Sequence, residues 1–367
     1  MQINSLKLLN YRNYESLEIN FSNRTNIIYG KNGMGKTNLI EAIYILGLTK
    51  TFRLGNEDVV IKKGKNIAKI EGSIKDKIIN NYKIIISDNG KRIKIDNNKI
   101  TKMSDYITRI NIILFNPDDL KIIKDTPSTR RKLLNIEISS INNDYVKVLT
   151  DYNKVLKQRN SYLKALSKKN IYQTDFLNIL TEQLVDLGLK IMLIRSEFIE
   201  NINSYISDIY FKITGKGPLS INYKSEYKGK TKEQLLSMYE KNISREIIMG
   251  KTLFGPHHDD IEFITNKEIV KEYSSIGEQK NSVIAFKLAE IKNIEDKLNK
   301  KPILILDDLF SELDQEKINN ILTLIDDDMQ TFITTTEIDK VDQKLIDKAK
   351  IFKCINGTIK EEVSNGK

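Results

Sequence analysis

The segment 30–37 constrains the fold more than any other, because it reads GKNGMGKT and matches the pattern G-x-x-x-x-G-K-[ST]. An apolar strand pattern at 26–29 precedes it, and a helical pattern that starts at Asn38 follows it. Glycines let successive backbone N–H groups turn toward one anion, and the helix N-terminus adds a partial positive charge. The sequence therefore predicts the phosphate loop of a nucleoside triphosphate site, formed by Gly30, Lys31, Asn32, Gly33, Met34, Gly35, Lys36 and Thr37.

A second, acidic motif lies far downstream of this loop. The segment 302–308 reads PILILDD, and such an apolar run is typical of a central parallel strand buried on both faces. We predict that Asp307 holds Mg²⁺ through water and that Asp308 orients or deprotonates the water that attacks the γ-phosphate. Lys36 is predicted to reach the β- and γ-phosphates, and the Thr37 hydroxyl to bind Mg²⁺. Paired carboxylates after a strand can also be solvated turn residues, but a phosphate loop in the same chain favours the catalytic interpretation.

The spacing of the two motifs predicts a large insertion, because 271 positions separate Lys36 from Asp307 and one βαβ unit needs far fewer. Shortly before the acidic motif, Ser275 and Gly277 open a helical pattern that continues through 282–290. A serine at the start of a helix is most simply an N-terminal cap. Its position before the acidic strand also fits the signature motif of ABC-type ATPases, in which a helix N-terminus binds an anion.

Taken together, these motifs resemble those of the bacterial RecF family. The likeness extends over residues 1 to about 361, with departures from the family pattern at Asn135, His258 and Glu278. The segments that carry it are 3–14, 30–37, 114–120, the GPHHDD segment at 255–260, 275–280 and 305–314.

The resemblance implies an ABC-type ATPase related to the SMC proteins, which acts in recombinational repair at DNA gaps with the partner proteins RecO and RecR. ATP would join two copies of such a chain, and hydrolysis would release them. The resemblance assigns Ser275, Gly277, Glu278 and Gln279 to the signature that caps the ATP of the opposite subunit, and Ser311 and Asp314 to the D-loop that meets the opposite site.

The composition suits a nucleic-acid partner. The chain of 367 residues has 59 Lys and Arg against 49 Asp and Glu, and the resulting net charge of +10 fits a polyanion. A single cysteine, Cys354, excludes an internal disulfide and a zinc site of several cysteines. No apolar run approaches the ~18 residues of a membrane span, so we expect no membrane association and a cytoplasmic location. Candidate DNA contacts are the basic residues Lys7, Arg12, Lys50, Arg53, Lys62, Lys63 and Lys65.

The hydrophobic pattern predicts an α/β fold interrupted by a helical second lobe, and the resemblance implies that the α/β part is an ABC-type P-loop ATPase head. Residues 1–112 have the alternation of strands, and from about residue 126 apolar residues recur at four- and three-residue spacing. Two long helices separated by a polar break at 167–170 predict a short antiparallel helical arm. We assign 1–125 and 250–367 to the head and 126–249 to the inserted lobe.

These observations favour an ATP-dependent DNA-binding protein that dimerises on ATP at DNA gaps or junctions and hydrolyses ATP weakly, as a switch. The alternative is the nucleotide-binding ABC subunit of another SMC-like or transport system. Transport subunits usually carry a histidine after the strand that follows the acidic motif, whereas this chain reads TTT at 334–336. A small-molecule kinase needs neither a signature nor so wide a separation of motifs. A metal site at 257–260 is disfavoured, because four adjacent residues seldom converge on one ion.

Overall fold

The computed structural model describes residues 1–53, 57–169, 175–309 and 315–362. The chain forms two compact units. Unit 1 comprises Met1–Leu120, Ile209–Lys216 and Val283–Lys367, and unit 2 comprises Lys121–Asp208 and Gly217–Ser282. The predicted division into head and inserted lobe near residues 125 and 250 stays a prediction, and the segment 250–282 packs within unit 2.

Strands and helices of the described residues are numbered in chain order. The strands are β1 (Gln2–Tyr11), β2 (Tyr14–Asn20), β3 (Thr25–Tyr29), β4 (Ile67–Lys75), β5 (Ile79–Ser87), β6 (Gly90–Ile95), β7 (Asn98–Ile100), β8 (Ile112–Phe115), β9 (Leu219–Lys224), β10 (Asp260–Thr265), β11 (Glu268–Ile269), β12 (Ile303–Asp307), β13 (Thr331–Thr335), β14 (Lys350–Ile355) and β15 (Thr358–Glu362). The helices are α1 (Lys36–Leu48), α2 (Ser104–Ile107), α3 (Lys121–Lys124), α4 (Pro127–Ile141), α5 (Asn143–Lys169), α6 (Asp175–Thr214), α7 (Lys232–Met249), α8 (Val270–Tyr273), α9 (Ile276–Leu298), α10 (Gln315–Thr323) and α11 (Gln343–Ile346).

Unit 1 contains an antiparallel sheet in the order β2-β1-β4-β5-β6-β7. Its strands have the alternating pattern that the sequence predicted, with one buried face and one solvent face. The buried face packs against α1, and Gly72 of β4 makes this close approach possible. A Cβ atom at Gly72 would lie 2.3 Å from Cδ2 of Leu46 on α1, so a larger residue there would require the Leu46 side chain to move.

A second sheet of unit 1, in the order β15-β14-β3-β13-β12-β8, positions the two predicted motifs. Strands β14, β3, β13, β12 and β8 are parallel, and every residue of β12 is buried, as its apolar sequence predicted. Because β13 lies between β3 and β12, the carboxyl ends of the phosphate-loop strand and of the acidic strand meet at one edge of the sheet. Helix α1, which starts directly after the loop, is buried along almost its whole length.

In unit 2, α5 and α6 form the antiparallel pair that the sequence predicted. Arg159 of α5 donates from Nε to Thr181 Oγ1 at 2.9 Å, and Arg195 donates from Nε to the Tyr145 hydroxyl at 2.9 Å. The predicted break at 167–170 begins too early, because α5 continues to Lys169. Exposed serine and lysine are compatible with a last helical turn, where a positive charge also interacts favourably with the helix dipole.

The GPHHDD segment of unit 2 lies in a network of buried ion pairs. The Asp259 carboxylate accepts hydrogen bonds from Arg195 Nη1 at 2.7 Å and from the Tyr223 hydroxyl. Asp260 is bound by two nitrogens of Arg130, at 2.6 and 2.8 Å. Both carboxylates therefore serve as partners of arginine, and the described residues contain no group of three or more His, Cys, Asp or Glu side chains able to hold a metal ion.

Two of the positions that depart from the family pattern belong to the same part of unit 2. Asn135 accepts hydrogen bonds at Oδ1 from the Tyr145 hydroxyl at 2.6 Å and from Arg195 Nη2 at 2.9 Å. The acceptor that Asn135 offers to the buried Arg195 is thus a neutral amide oxygen. His258 Nε2 lies 3.4 Å from the Thr252 carbonyl oxygen. Asn135 thus accepts from the charged group of Arg195, whereas His258 contacts a neutral backbone carbonyl.

In the described part of the chain, no helix is both long and apolar enough to cross a membrane.

Candidate nucleotide-binding site

The loop after β3 has a backbone that only glycine can adopt at two positions. Gly30 has φ 151° and Gly35 has φ 116°, both in the region that L side chains avoid. A Cβ atom at Gly30 would lie 2.4 Å from the Cys354 carbonyl oxygen, and one at Gly35 would lie 2.6 Å from Asn13 Nδ2. Gly30 and Gly35 therefore satisfy both a backbone requirement and a lack of space, as a loop wrapped closely around an anion requires. Gly33 also has a positive φ, of 80°, but a Cβ there would meet open space.

The carbonyl groups of the loop are held by residues from distant parts of unit 1. The Met34 carbonyl oxygen accepts from the Gly357 N–H at 3.1 Å and from the Cys354 thiol at 3.1 Å. The Tyr14 hydroxyl donates to the Gly35 carbonyl oxygen at 2.9 Å. The conformation of the loop is thus set by protein contacts as well as by its own glycines. Sequence patterns could not reveal these partners, because they lie on strands far apart in the chain.

Lys36 and Thr37 start α1 at the mouth of the loop. Lys36 is 4% exposed, and its Nζ donates to the carbonyl oxygens of Gly30 at 2.6 Å and Lys31 at 3.3 Å. These bonds hold a buried positive charge at the loop, where a phosphate needs it. Thr37 Oγ1 lies 3.5 Å from Asp307 Oδ1, so the structure brings together the two residues predicted to bind Mg²⁺.

Thr334 of β13 binds the Asp307 carboxylate and the Asp308 backbone, a role that the sequence did not predict. Its hydroxyl donates to Asp307 Oδ1 at 2.6 Å and accepts from the Asp308 N–H at 3.0 Å. Asp308 has φ 55°, in the left-handed region, so the chain turns sharply directly after the strand. The position of Thr334 between the loop strand and the acidic strand could have suggested this role only if the strand order had been known.

The carboxylate of Asp307 is suited to a bound cation. Burial raises its pKa above the ordinary value, and the nearby Asp308 raises it further, while the Thr334 hydrogen bond and the charges of Arg53 and Lys36 act in the opposite direction. Hydroxyl and carboxylate oxygens are the ligands that Mg²⁺ prefers, and a cation would relieve the cost of ionising a buried acid. The residues present therefore fit a Mg²⁺–nucleotide complex.

We expect the Asp307→Asn protein to have a higher melting temperature than the wild type at neutral pH in the absence of Mg²⁺. An acid with a raised pKa destabilises the fold as pH rises through the interval between its unfolded and folded pKa, and asparagine removes this cost. The Mg²⁺-dependent ATPase activity should fall by about 100-fold or more.

Melting curves between pH 3.5 and 8 check this expectation, since the advantage of the variant must vanish at the acid end, where both side chains are neutral. Thr331→Ser, a change at the other end of β13, serves as the control. A variant that melts below the wild type at neutral pH would contradict the assignment of a destabilising charge to Asp307.

A cluster around Glu41 supports the start of α1, and no sequence motif indicated it. Arg12 binds both carboxylate oxygens of the fully buried Glu41, at 2.8 and 2.7 Å. Thr51 donates to the same carboxylate at 2.5 Å, and Arg53 Nη1 donates to Asn38 Oδ1 at 2.9 Å. Two of the candidate DNA contacts, Arg12 and Arg53, are thus engaged beside the nucleotide loop.

The signature-like residues form the N-terminus of α9, in unit 2. Ser275 and Glu278 make a reciprocal cap, in which Ser275 N–H donates to Glu278 Oε2 at 3.0 Å and Glu278 N–H donates to Ser275 Oγ at 3.3 Å. Gln279 is buried and donates from Nε2 to the Ser274 carbonyl oxygen at 3.1 Å. Ser275 and Gly277 are exposed to solvent. The predicted D-loop residues Ser311 and Asp314 lie outside the described residues.

The chain is similar to known proteins over almost its whole length. Residues 2–360 match the family described as RecF/RecN/SMC N terminal domain. The chain is 39% identical, over 99% of its length and 98% of the relative's, to the DNA replication and repair protein RecF of Ligilactobacillus salivarius (strain UCC118). It superimposes with a TM-score of 0.91 on a solved structure of the recombination mediator protein RecF with ATP in the RecFOR pathway, at 29% identity and covering 99% of this chain and 98% of that one.

A more distant likeness concerns the fold alone. The Smc head domain with an extended coiled coil, bound to the C-terminal domain of ScpA and derived from Pyrococcus furiosus, matches with a TM-score of 0.53 at 18% identity, covering 98% of this chain and 96% of that one. With the RecF structures, it confirms the predicted α/β fold with an ABC-type ATPase head.

Proposed function

Because the chain belongs to the RecF family, we propose that it is an ATP-dependent DNA-binding protein of recombinational repair and replication restart. Two copies bind ATP and dimerise at DNA gaps or junctions, and slow hydrolysis releases them. The observation that carries this proposal is the edge of the parallel sheet where Lys36 and Thr37 meet Asp307 and Asp308. Thr37 Oγ1 lies 3.5 Å from Asp307 Oδ1 there, which fits a triphosphate with its metal ion.

Each residue of the edge has a separate task in the proposed reaction. The backbone N–H groups of the loop and the Lys36 ammonium bind the β- and γ-phosphates. Thr37 and Asp307 hold Mg²⁺, which when bound neutralises charge on the phosphates. Asp308 orients the attacking water and accepts its proton. The Thr334 hydroxyl keeps the Asp307 carboxylate and the backbone N–H of Asp308 in place.

The exposed N-terminus of α9 provides the second half of each ATP site in the proposed dimer. Ser275 and Gly277 are open to solvent, so another copy of the chain can reach them. The helix N-terminus offers a partial positive charge to the γ-phosphate held by that copy. Glu278 and Gln279 fix the helix start, and Ser311 and Asp314 belong to the proposed contact between the two copies.

The remaining partners follow from the relatives and from the charge. A solved relative is described as a recombination mediator in the RecFOR pathway, and we extend partners of the RecO and RecR type to this chain. The net charge of +10 supports binding to the phosphates of DNA. A protein with this role works in the cytoplasm, where it has access to the chromosome.

The proposal is tested by the Asp308→Asn protein, which should bind ATP like the wild type and remain dimeric with it. Asparagine has the shape of aspartate but cannot accept the proton of the attacking water, so turnover should fall by about 100-fold. Sedimentation with ATP and Mg²⁺ measures the dimer, and release of phosphate measures turnover. DNA binding is recorded on duplex, single-stranded and gapped substrates in the same samples.

Ser275→Arg is the matched variant, which should bind ATP but fail to dimerise. It leaves the phosphate loop complete, so it should bind ATP normally, yet a bulky cation at the start of α9 should block the second copy. Unchanged turnover by Asp308→Asn would move the role of water activation to another residue. If Ser275→Arg dimerises at the same ATP concentration as the wild type, Ser275 has no role in the dimer and is an ordinary helix cap.

A further inference from the structure

The solvent face of the antiparallel sheet in unit 1 carries a row of charged residues that lie directly opposite one another. Along this row, Lys7 of β1 is paired with Glu18 of β2 on one side and with Glu71 of β4 on the other. Glu71 is opposite Lys83 of β5, and their side chains form an ion pair at 2.8 Å or less, as do Lys7 and Glu18. Charges of opposite sign therefore alternate across β2, β1, β4 and β5.

The alternation stops at β6. Lys83 is opposite Lys94 of β6, and Lys94 is opposite Lys99 of β7, so three lysines stand side by side on adjacent strands. The next row on the same face adds Lys69 of β4 and Arg92 of β6, on either side of Ile85. We call these five residues the cationic ladder. Within the described part of the chain, only Lys83 of the five has a carboxylate partner, Glu71.

Such an arrangement costs stability in the free protein. Like charges directly opposite each other on neighbouring strands are destabilising, because their Cβ atoms are only about 4.5–5.5 Å apart. A single acidic residue at position 94 would have continued the alternation that the other strands show. A destabilising row that the fold itself does not need indicates a partner that supplies the missing negative charge.

The charge distribution along the sequence also indicates a negatively charged partner for this sheet. Residues 67–102, which form β4 to β7, contain nine Lys and Arg against four Asp and Glu, so this segment supplies half of the net charge of +10. One of its acids, Asp96, is already bound by the side chain of Asn80 at 2.6 Å and by the backbone N–H of Asn81 at 2.7 Å. These bonds lower the pKa of Asp96, so it stays ionised, but they occupy its oxygens.

The dimensions of the row suit an extended polyanion. Neighbouring strands are about 4.8 Å apart, so the row from Lys7 to Lys99 crosses roughly 19 Å of exposed surface. A groove of about 370 Å³ runs beside it. Its lining includes Lys7 and Lys83 of the row, the small polar residues Ser5, Ser73 and Asn81, and the carboxylates of Glu71 and Asp96. Because acids and lysines are balanced in the groove, the excess positive charge lies beside it, on β6 and β7.

We propose that the cationic ladder binds the phosphate backbone of DNA. This inference rests on the proposed function, which it extends by naming the surface on which the DNA lies. The contacts are to phosphates, so they position the DNA without reading its sequence. The same residues make the free sheet less stable, and DNA removes that cost by neutralising Lys94 and Lys99.

The test is the Lys94→Glu protein, which should bind DNA more weakly and yet melt at a higher temperature. The new carboxylate lies between the ammonium groups of Lys83 and Lys99, so the melting temperature should rise by about 1–3 °C. Loss of one phosphate contact should weaken binding to a gapped duplex about eightfold at 0.1 M salt and reduce the log-log salt slope by about 0.9. Binding is measured with a non-hydrolysable ATP analogue, and ATPase activity without DNA should not change.

Lys344→Glu is the matched control, because Lys344 is an exposed lysine of unit 1 on α11 and the change in charge is the same. It should leave the affinity and the salt slope within about twofold of the wild type. Equal losses in the two variants, or a wild-type affinity and slope for Lys94→Glu, would overturn the proposal. If Lys94→Glu melts well below the wild type, the same measurements of DNA affinity and salt slope are made on Lys99→Glu, which lies on the edge strand β7. If the wild-type protein binds no DNA, the proposed function is wrong as well. If the wild type binds DNA and Lys94→Glu binds it equally well, only the assignment of the cationic ladder is wrong.

Discussion

The Lys36→Met protein is expected to bind ATP at least about 100-fold more weakly than the wild type while keeping its fold. Hydrogen bonds from a charged group contribute about 1.5–3 kcal/mol each, and a tenfold change in affinity corresponds to about 1.4 kcal/mol. Methionine has a similar length and is compatible with a buried position, so α1 and the loop should remain in place. Nucleotide titration measures the loss, and melting without nucleotide should show a midpoint within a few degrees of the wild type.

Lys31→Met provides the control for this experiment within the same loop. The Lys31 side chain is exposed, and its carbonyl group, which accepts from Lys36, is unchanged by the substitution. Its ATP affinity should therefore stay within a few-fold of the wild type. ATP binding by Lys36→Met at the wild-type affinity would mean that 30–37 is not the phosphate loop.

The Arg195→Ala protein is expected to lose about 3–5 kcal/mol of stability, the usual cost of removing one partner from a buried ion pair. Both Arg195 and Asp259 have only 2% of their side-chain surface exposed. Arg195 also donates to the Pro256 carbonyl oxygen at 2.8 Å and to Asn135 Oδ1 at 2.9 Å. Its loss leaves the buried Asp259 carboxylate with the Tyr223 hydroxyl as its remaining side-chain donor among the described residues. Urea unfolding followed by circular dichroism measures the change.

Lys232→Ala is the comparison for Arg195→Ala, because it removes an ion pair of the same unit at the surface. Lys232 binds Glu182 and Asp186 at 3.0 and 2.8 Å, with all three side chains at least one-third exposed. Solvent screens such a pair, so the loss should not exceed about 1 kcal/mol. Similar destabilisation by the two substitutions would show that burial of the Arg195 network carries no special weight.

The sequence predicted those features that depend on neighbouring residues. The loop at 30–37 and the acidic strand could be recognised because each motif is complete within a few positions and has a strand or helix beside it. The antiparallel arm followed from apolar spacing along α5 and α6. Its end did not, since serine and lysine near 167–169 are acceptable both in a helix and in a turn.

Features that depend on tertiary contacts could not be predicted. Thr334 looked like part of an uninformative run of threonines until β13 was found between the two motif strands. Glu41 has the sequence context of an ordinary helical residue, and only the fold reveals that Arg12 binds it with two nitrogens. The cationic ladder is likewise invisible in the sequence, because the pairing of Lys83, Lys94 and Lys99 exists only in the register of the sheet.

The hydrogen bonds from Cys354 and Gly357 to the Met34 carbonyl oxygen affect the order of events during synthesis. The phosphate loop leaves the ribosome early, but the residues that fix its carbonyl group are translated more than 300 positions later. At about 5–20 residues per second, this interval lasts roughly 15–65 s. Throughout it the nascent chain carries the full nucleotide motif without the contacts that hold its shape. The loop thus gains its full set of contacts only after residues 354–357 have been translated.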